Sequence, residues 1–417
     1  MKSCEFQNLE TRRLFAIVLT PAGLTALGDF NGDHKADEVV VQRGSLLANT
    51  TVTIGTGTGN GLFLESGAAT IRSFTATAVA VGDVNGDGNE DVVIVGTPTS
   101  VVTPLASGNI ISTRTEVIVL LGNGKGGFLN SSSATGMPMQ TVYSLPTLLS
   151  TSSVAVGDFD GDRYADIAVL GTTVSTAVTT NAKTAVLPVS QTAIEVLWDV
   201  AKPSASPVAS NTTITPTGNP NVNELFAGDL DGDGKTDLVA ALSAQAILPP
   251  VKLSVGGNIT TTPVRPDLVT VRFPAARTPV VSVGTNPLDS AATPVSSSIA
   301  GVGEKTIGLA ALSKGGHLDL IGLRGSTVVY SAFNPTSESF GTGQMAQSIN
   351  APTNLSTASV YVGDIDGDGL PDLLADTSTG TYFGRNTPST VANSVLFSWT
   401  RVALPPTNTT PTVIARG

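Results

Sequence analysis

The sequence predicts an all-β fold assembled from repeats, and three observations carry that prediction. A nine-residue acidic pattern is written five times, starting at Asp29, Asp83, Asp158, Asp229 and Asp364. Each copy is bracketed by short runs rich in Val, Ile, Leu and Ala, as in VAVGDVNGDGNEDVVIV around Asp83, and runs of that length read as strands rather than helices. Only 13% of the 417 residues are charged while Thr, Ser, Val, Ala and Gly dominate, which suits sheets joined by many hairpins. No long helical period interrupts this pattern.

The acidic stretch itself comes next. Counted from its first Asp, oxygen-bearing side chains fall at positions 1, 3, 5 and 9. They are Asp29, Asn31, Asp33 and Asp37 in the first copy, and Asp83, Asn85, Asp87 and Asp91 in the second. The third has Asp158, Asp160, Asp162 and Asp166, and the fourth Asp229, Asp231, Asp233 and Asp237. The last has Asp364, Asp366, Asp368 and Asp372. Three or four carboxylates packed so closely repel one another unless a hard cation takes their oxygens, and calcium accepts six to eight at about 2.3–2.6 Å. Position 7 varies freely (Asn89, Tyr164, Lys235, Leu370), as expected if only its backbone carbonyl serves as a ligand. Position 4 is Gly in every copy, where the chain must fold back around the ion.

An EF-hand shares the D-x-D-x-D opening but requires a bidentate Glu at position 12 and flanking helices. Position 12 here is Val40, Ile94, Val169, Ala240 and Ala375, so that reading fails in each copy. The loops resemble instead the FG-GAP/VCBS calcium repeat, the blade unit of integrin α-chain propellers and of many bacterial extracellular proteins. The resemblance implies a β-propeller of six four-stranded blades, with seven as the alternative, and one structural calcium loop between strands a and b of each intact blade. About five calcium ions follow. A plain Asp/Gly-rich turn would not need four oxygens in register five times.

The expected organisation is an N-terminal segment over 1–22, one propeller over 23–404 and a flexible tail over 405–417. In unit one the third strand lies near Thr51 to Ile54. Unit two has EVIVLLG from Glu116, unit three AIEVLW ending at Trp198, unit four DLVTVRF from Asp267, and unit six TYFGRN followed by VLFSWTRVAL. Unit five is degenerate: Asp319 aligns with position 9, but positions 1, 3 and 5 become Ala311, Ser313 and Gly315, so no metal is expected there. Extra residues lie between strands b and c in units two to four, at Thr97 to Thr115, Gly171 to Ala193 and Ser243 to Pro266. Since successive strands leave by opposite ends, these insertions should crowd one sector of the face opposite the calcium loops, the face with which integrin-type propellers engage partners. Leu14 to Thr20 is expected to pair with the last blade near Val395 to Ala403, covering a strand edge.

The formal net charge of −11 argues against nucleic-acid and anionic-membrane partners. More than half of the 33 acidic residues sit in the five loops, so the acidity is largely a ligand inventory. Five divalent ions, about +10, would nearly neutralise it. Cys4 is the single cysteine, which rules out an intrachain disulfide, and no apolar run reaches the length of a membrane helix. Such loops fill at extracellular calcium levels. FQNLETRRLFA, from Phe6 to Ala16, resembles the LEPR-type N-terminal motif of surface and secreted proteins in planctomycete-like bacteria. Leu9, Glu10, Arg12 and Leu14 match it, with Phe15 replacing the second Leu. An extracellular or cell-surface, monomeric bacterial protein is the expectation.

Catalytic chemistry is sparsely represented. GNGKGG, from Gly122 to Gly127, fits a dinucleotide fingerprint, yet FLNSSS after it has no helical pattern, so it reads as a hairpin. Gly234-Lys235-Thr236 ends like a phosphate loop, but the Gly needed five residues earlier is Asp229. With only His34 and His317 available, zinc and Ser-His-Asp sites are disfavoured, and His34 should point outward from its loop. Candidate acids outside the loops are Glu65, Glu116, Glu195, Glu224, Asp289, Glu304 and Glu338, with Glu116 and Glu195 read as exposed strand ends. Trp198 and Trp399 read as blade packing. The functional expectation is a non-enzymatic binding or adhesion module for a protein or glycan; the alternative is a polysaccharide lyase or glycoside hydrolase on the same propeller.

Overall fold

The structure is a computed structural model. It describes residues 24–43, 49–98, 115–130, 140–145, 147–148, 150–175, 189–200, 211–216, 222–241, 252–255, 258–261, 267–285, 305–313, 317–388 and 394–403.

Strands form where the sequence alternates or sustains β-branched residues between Gly- and Asp-rich turns. Blade 1 comprises β1 (Leu24–Gly28), β2 (Asp37–Gln42), β3 (Thr50–Gly57) and β4 (Phe63–Ile71). Blade 2 comprises β5 (Phe74–Gly82), β6 (Asp91–Pro98), β7 (Thr115–Leu120) and β8 (Gln140–Leu145). Blade 3 comprises β9 (Ser150–Gly157), β10 (Asp166–Ser175), β11 (Val189–Leu197) and β12 (Asn211–Ile214). Blade 4 starts with β13 (Glu224–Gly228) and β14 (Asp237–Ala241), is interrupted by a separate hairpin of β15 (Lys252–Val255) and β16 (Asn258–Thr261), and resumes with β17 (Asp267–Ala275) and β18 (Thr278–Thr285). In blade 5, β19 (Lys305–Ala310), β20 (Asp319–Arg324) and β21 (Thr327–Asn334) are followed by a split outer strand, β22 (Ser339–Phe340) and β23 (Gln344–Met345), both paired with β21. Blade 6 has β25 (Ser359–Gly363), β26 (Asp372–Thr377), β27 (Gly380–Pro388) and β28 (Val395–Arg401), with β24 (Gln347–Ile349) added outside β28. Six antiparallel meanders of this kind make a six-bladed β-propeller, as expected from the repeat.

The first strands of the blades stand side by side around the axis, and β1 packs against β25 to close the ring. Closure requires no exchange of strands. At the joint the Ala36 N–H donates to the Asp364 carbonyl at 2.8 Å, and the Thr236 N–H makes the same bond to the Asp158 carbonyl at 2.7 Å between blades 4 and 3. The last blade therefore meets the first as blade 3 meets blade 4. The cores lie between blades, as facing sheets must bury their apolar sides together. Phe30, Val39, Val79 and Val92 fill the space between blades 1 and 2, and Phe159, Trp198, Leu225 and Val271 that between 3 and 4. Trp198 stands edge-on to Phe159 and Phe273, and its Nε1–H donates to the Thr212 hydroxyl at 2.9 Å, so it is packing rather than a ligand platform. Trp399 is likewise buried.

The Gly preceding the first Asp of each loop serves this close approach. A Cβ at Gly157 would sit 2.4 Å from Thr236 Cγ2 and 2.7 Å from its Cβ, and one at Gly228 would meet Leu318 at 2.6 Å. Neighbouring inner strands thus touch where only hydrogen fits.

Three sequence expectations need correction or completion. The outer edge of β28 is covered over Leu396–Ser398 by β24 in parallel register, whereas Leu14 to Thr20, expected there, lies outside the described residues. The insertion at Gly171 to Ala193 begins and ends as strand, because β10 and β11 stay paired out to Ser175 and Val189, and that at Ser243 to Pro266 contains the β15–β16 hairpin. Glu195 is not an exposed strand end: it lies near the middle of β11, fully buried, and accepts from the Thr147 hydroxyl. Burial follows because β11 runs on beyond the expected strand start. The segments 1–22 and 405–417, Asp289 and Glu304 are outside the described residues. The described residues hold one short 3₁₀ turn and no helix long and apolar enough to cross a membrane.

Replacing Gly157 by Ala tests the blade contact. It should cost about 1–3 kcal/mol of stability by overpacking, read by urea unfolding, with the same secondary structure retained.

Candidate metal centres

Each acidic loop joins strand a to strand b, and its shape is written by its own side chains. The position-1 carboxylate accepts backbone N–H groups across the turn: Asp83 Oδ1 takes those of Gly86 at 2.8 Å and Asp87 at 3.1 Å, and Oδ2 that of Gly88 at 2.8 Å. Asp29, Asp158, Asp229 and Asp364 repeat the bonds to positions 4 and 6. Position 3 accepts from position 5, and position 5 from position 7, in all five loops. The position-7 backbone N–H makes this bond in every loop, so Lys35, Asn89, Tyr164, Lys235 and Leu370 can all stand there, with Asn89 and Lys235 adding a side-chain bond to position 5.

Position 6, to which the sequence reading gave no backbone role, is left-handed along with position 4. Gly88, Gly234 and Gly369 have φ of 90°, 85° and 86°, and His34 and Arg163 adopt the same region at 66° and 77°. The His34 side chain is 90% exposed, as its place in the loop suggested. Position 2 also escaped notice. Phe30, Val84, Phe159, Leu230 and Ile365 are each at most 1% exposed and anchor the loop in the inter-blade core.

The position-9 Asp is the hub of the turn. Its Oδ2 accepts the position-2 N–H, from Phe30, Val84, Phe159, Leu230 and Ile365. Its Oδ1 accepts an N–H from the end of strand c: Gly57, Gly122, Asp199, Phe273 and Asn386. Blade 5 keeps part of this without the acidic loop, since Asp319 Oδ2 still accepts the Leu312 N–H at 3.0 Å.

Carboxylate oxygens of positions 1, 3 and 9 lie within 4.8 Å of one another in blades 3, 4 and 6: Asp158, Asp160 and Asp166; Asp229, Asp231 and Asp237; Asp364, Asp366 and Asp372. Oxygens bound to one hard cation at about 2.3–2.6 Å lie no more than about 5.2 Å apart, and these clusters meet that limit. The donor set is all oxygen, and each of these carboxylates accepts fewer hydrogen bonds than its two oxygens can take, so these residues fit a hard divalent ion. Blades 1 and 2 fold the same turn with Asn31 and Asn85 at position 3. A fourth cluster joins Asp160 and Asp162 to Asp199, a residue outside the loop that the sequence reading did not select.

Burial pushes the position-9 carboxyls up, to about 7 at Asp37, Asp91 and Asp237 and about 8 at Asp166 and Asp372, against the partial opposition of their N–H donors. Burial likewise raises Asp83, Asp158, Asp229 and Asp364, with neighbouring carboxylates adding to it. Outside the loops the described candidate acids are dispersed, with Glu65, Glu116, Glu195, Glu224 and Glu338 on blades 1, 2, 3, 4 and 5 respectively. The Gly122 to Gly127 stretch is a hairpin, closed by an Asn123 N–H to Gly127 carbonyl bond of 3.0 Å and the Gly122–Phe128 bridge.

Comparison with known proteins agrees with this architecture. Residues 27–94, spanning the loops of blades 1 and 2, match an FG-GAP-like repeat, and residues 150–175, spanning the loop of blade 3, match the FG-GAP repeat. This chain is an FG-GAP repeat β-propeller. Among solved structures, this FG-GAP propeller is similar to an Agrocybe aegerita lectin described as recognising non-reducing terminal N-acetylglucosamine, at 13% identity and TM-score 0.46, over 91% of this chain and 80% of that one. It is also similar to a chain of the RAG complex with one melted and one unmelted RSS, at 9% identity and TM-score 0.36, over 95% and 97%. No curated protein matches the FG-GAP propeller.

The carboxyl shifts carry a pH prediction. A carboxyl whose folded pKa exceeds its unfolded one contributes stability that is full below the ordinary carboxylate range and is lost as pH rises through the folded value. Melting of the chelator-treated FG-GAP propeller should therefore fall steadily from pH 5 to pH 8, and a saturating divalent ion should flatten that decline.

Proposed function

We propose that this propeller is a secreted or cell-surface, calcium-binding protein that works without catalysis, as a binding module for a protein or glycan partner. Calcium is the ion favoured because the loops offer clustered carboxylates on a flexible turn, while magnesium demands a stricter octahedron and retains its waters. The observation that carries the reading is the convergence of positions 1, 3 and 9 within 4.8 Å in blades 3, 4 and 6, on turns already shaped by their own backbone bonds. The ion offsets carboxylate repulsion and joins the a–b turn to strand c, so its binding free energy adds to the stability of the ring.

The partner surface follows from the direction of the strands. The a–b loops and the c–d hairpins share one face, because strand c ends beside the position-9 Asp; the b–c connections leave by the other. Blades 2, 3 and 4 are neighbours and carry the long b–c connections there, residues 99–114 between β6 and β7 among them. Among the described residues every acidic cluster suited to a metal includes a loop Asp, and the remaining described candidate acids lie on separate blades, which favours binding over carboxylate-pair hydrolysis. Extracellular placement rests on the calcium levels such loops require and on the N-terminal motif.

Melting in millimolar calcium against EGTA tests the ion. A site filled at about one hundred times its Kd adds roughly 2.7 kcal/mol, so three or more sites should raise the midpoint by more than about 5 °C, at about 1 °C per kcal/mol for a chain of this length. An unchanged midpoint refutes structural calcium. For the partner, a glycan and protein array in calcium buffer should give hits that disappear when residues 99–114 are replaced by a short Gly-Ser linker.

A further inference from the structure

The five loops differ at position 3, and the difference is answered elsewhere in the chain. Blades 1 and 2 have Asn31 and Asn85; blades 3, 4 and 6 have Asp160, Asp231 and Asp366. The residue at the end of strand c that donates to the position-9 Asp gives a common reference point, so the residue just before it is equivalent in each blade: Thr56, Leu121, Trp198, Arg272 and Arg385. Where position 3 is Asn, this neighbour is neutral.

Where position 3 is Asp, an arginine meets it. Arg385 Nε lies 2.5 Å from Asp366 Oδ2, and its Nη2 lies 3.2 Å from Asp368 Oδ2. Arg272 Nη1 lies 3.4 Å from Asp231 Oδ2, while its Nη2 meets Glu338 of blade 5. In blade 3 the equivalent position is taken by Trp198, and the charge comes from the next blade. Arg277, in the turn between β17 and β18, lies 5.3 Å above the Trp198 ring, puts Nε 2.8 Å from Asp160 Oδ2 and pairs with Asp199. In each case the arginine takes Oδ2 of position 3, while Oδ1 accepts the position-5 N–H.

Among the described residues each position-3 Asp thus meets an arginine, while the equivalent neighbours in the Asn loops, Thr56 and Leu121, are neutral. Counting positions 1, 3, 5 and 9 with the arginine, all five loops come to the same formal charge of about −3. Position-7 lysines do not explain the division: Lys35 pairs with Asp33 in an Asn loop and Lys235 with Asp233 in an Asp loop. Guanidinium keeps its charge at any pH the fold survives and holds a carboxylate in a fixed plane.

We propose that Arg272, Arg277 and Arg385 are built-in countercharges that fix the position-3 carboxylate and set the cation affinity of the loops of blades 4, 3 and 6, bringing them level with the Asn loops of blades 1 and 2. The proposal rests on the reading of these loops as cation sites. It assigns the arginines a positioning and affinity-setting role, without contact to the ion.

Blade 6 offers the cleanest test, because Arg385 meets only carboxylates of its own loop. The full chain is compared with Arg385→Gln, Asp366→Asn and the double variant, by melting in EGTA and by calorimetric calcium titration. An Asp364→Ala titration, which removes the first ligand of that loop, identifies the blade 6 contribution. Arg385→Gln should tighten calcium there by about two- to tenfold, the range expected for contacting charges, and lower the EGTA melting midpoint. Asp366→Asn should weaken calcium. The double variant, which rebuilds the neutral pairing of blades 1 and 2, should return both readouts to near wild type. Additive effects, or weaker calcium binding in Arg385→Gln, would overturn the proposal. A wild-type chain that takes up no calcium would instead defeat the cation-site reading, and with it the affinity claim, while the EGTA melts would still report whether Arg385 compensates Asp366.

Discussion

A buried aspartate that accepts two backbone N–H groups holds this propeller to its pattern. At position 9 of each loop, one carboxylate oxygen takes the amide of position 2 and the other takes an amide at the end of strand c, so a single side chain fixes the a–b turn against the third strand. Leaving those amides unsatisfied in a dry interior would cost about 1–3 kcal/mol each. Blade 5 makes the point by subtraction. It has lost the acidic loop yet keeps Asp319 and its bond to Leu312, and the blade keeps its place in the ring. The bond from this aspartate to the start of the turn is therefore kept even where the acidic loop is absent.

Close packing between inner strands supplies the second constraint. The Gly before each loop lets neighbouring blades touch, and the apolar residue at position 2 drives the turn into the core between them. One segment, Gly-Asp-apolar, thereby does three tasks in three residues: approach, closing the turn by backbone bonds, and anchoring. Ring closure by the Ala36 to Asp364 bond repeats the joint between blades 4 and 3, and among the described residues the first and last blades share no strand. The outer edge of the last blade is guarded by β24, donated from the linker between blades 5 and 6.

These constraints divide the molecule into two faces with different freedom. On one, the acidic a–b loops are tied to the position-9 Asp, and their positions 1, 3, 4, 5 and 9 are restricted to Asp, Asn and Gly. On the other, the b–c connections bear no such obligation and have lengthened in three neighbouring blades.

The sequence by itself determined the repeat, the strand-loop-strand order and the ligand-type residues, because each is written in local spacing: nine residues, a glycine at position 4, apolar runs on either side. It left six or seven blades open, and the structure has six. It also exposed blade 5 as altered. What only the tertiary structure decided were the long-range partners. That position 9 reaches strand c, that β24 rather than a segment near Leu14 covers β28 over Leu396–Ser398, that Glu195 is buried, and that Arg277 crosses from blade 4 to Asp160 in blade 3 all depend on groups far apart in the chain. Period and turn chemistry act between near neighbours and can be read along a line; charge pairing and burial act across interfaces that exist only once the blades stand in their ring.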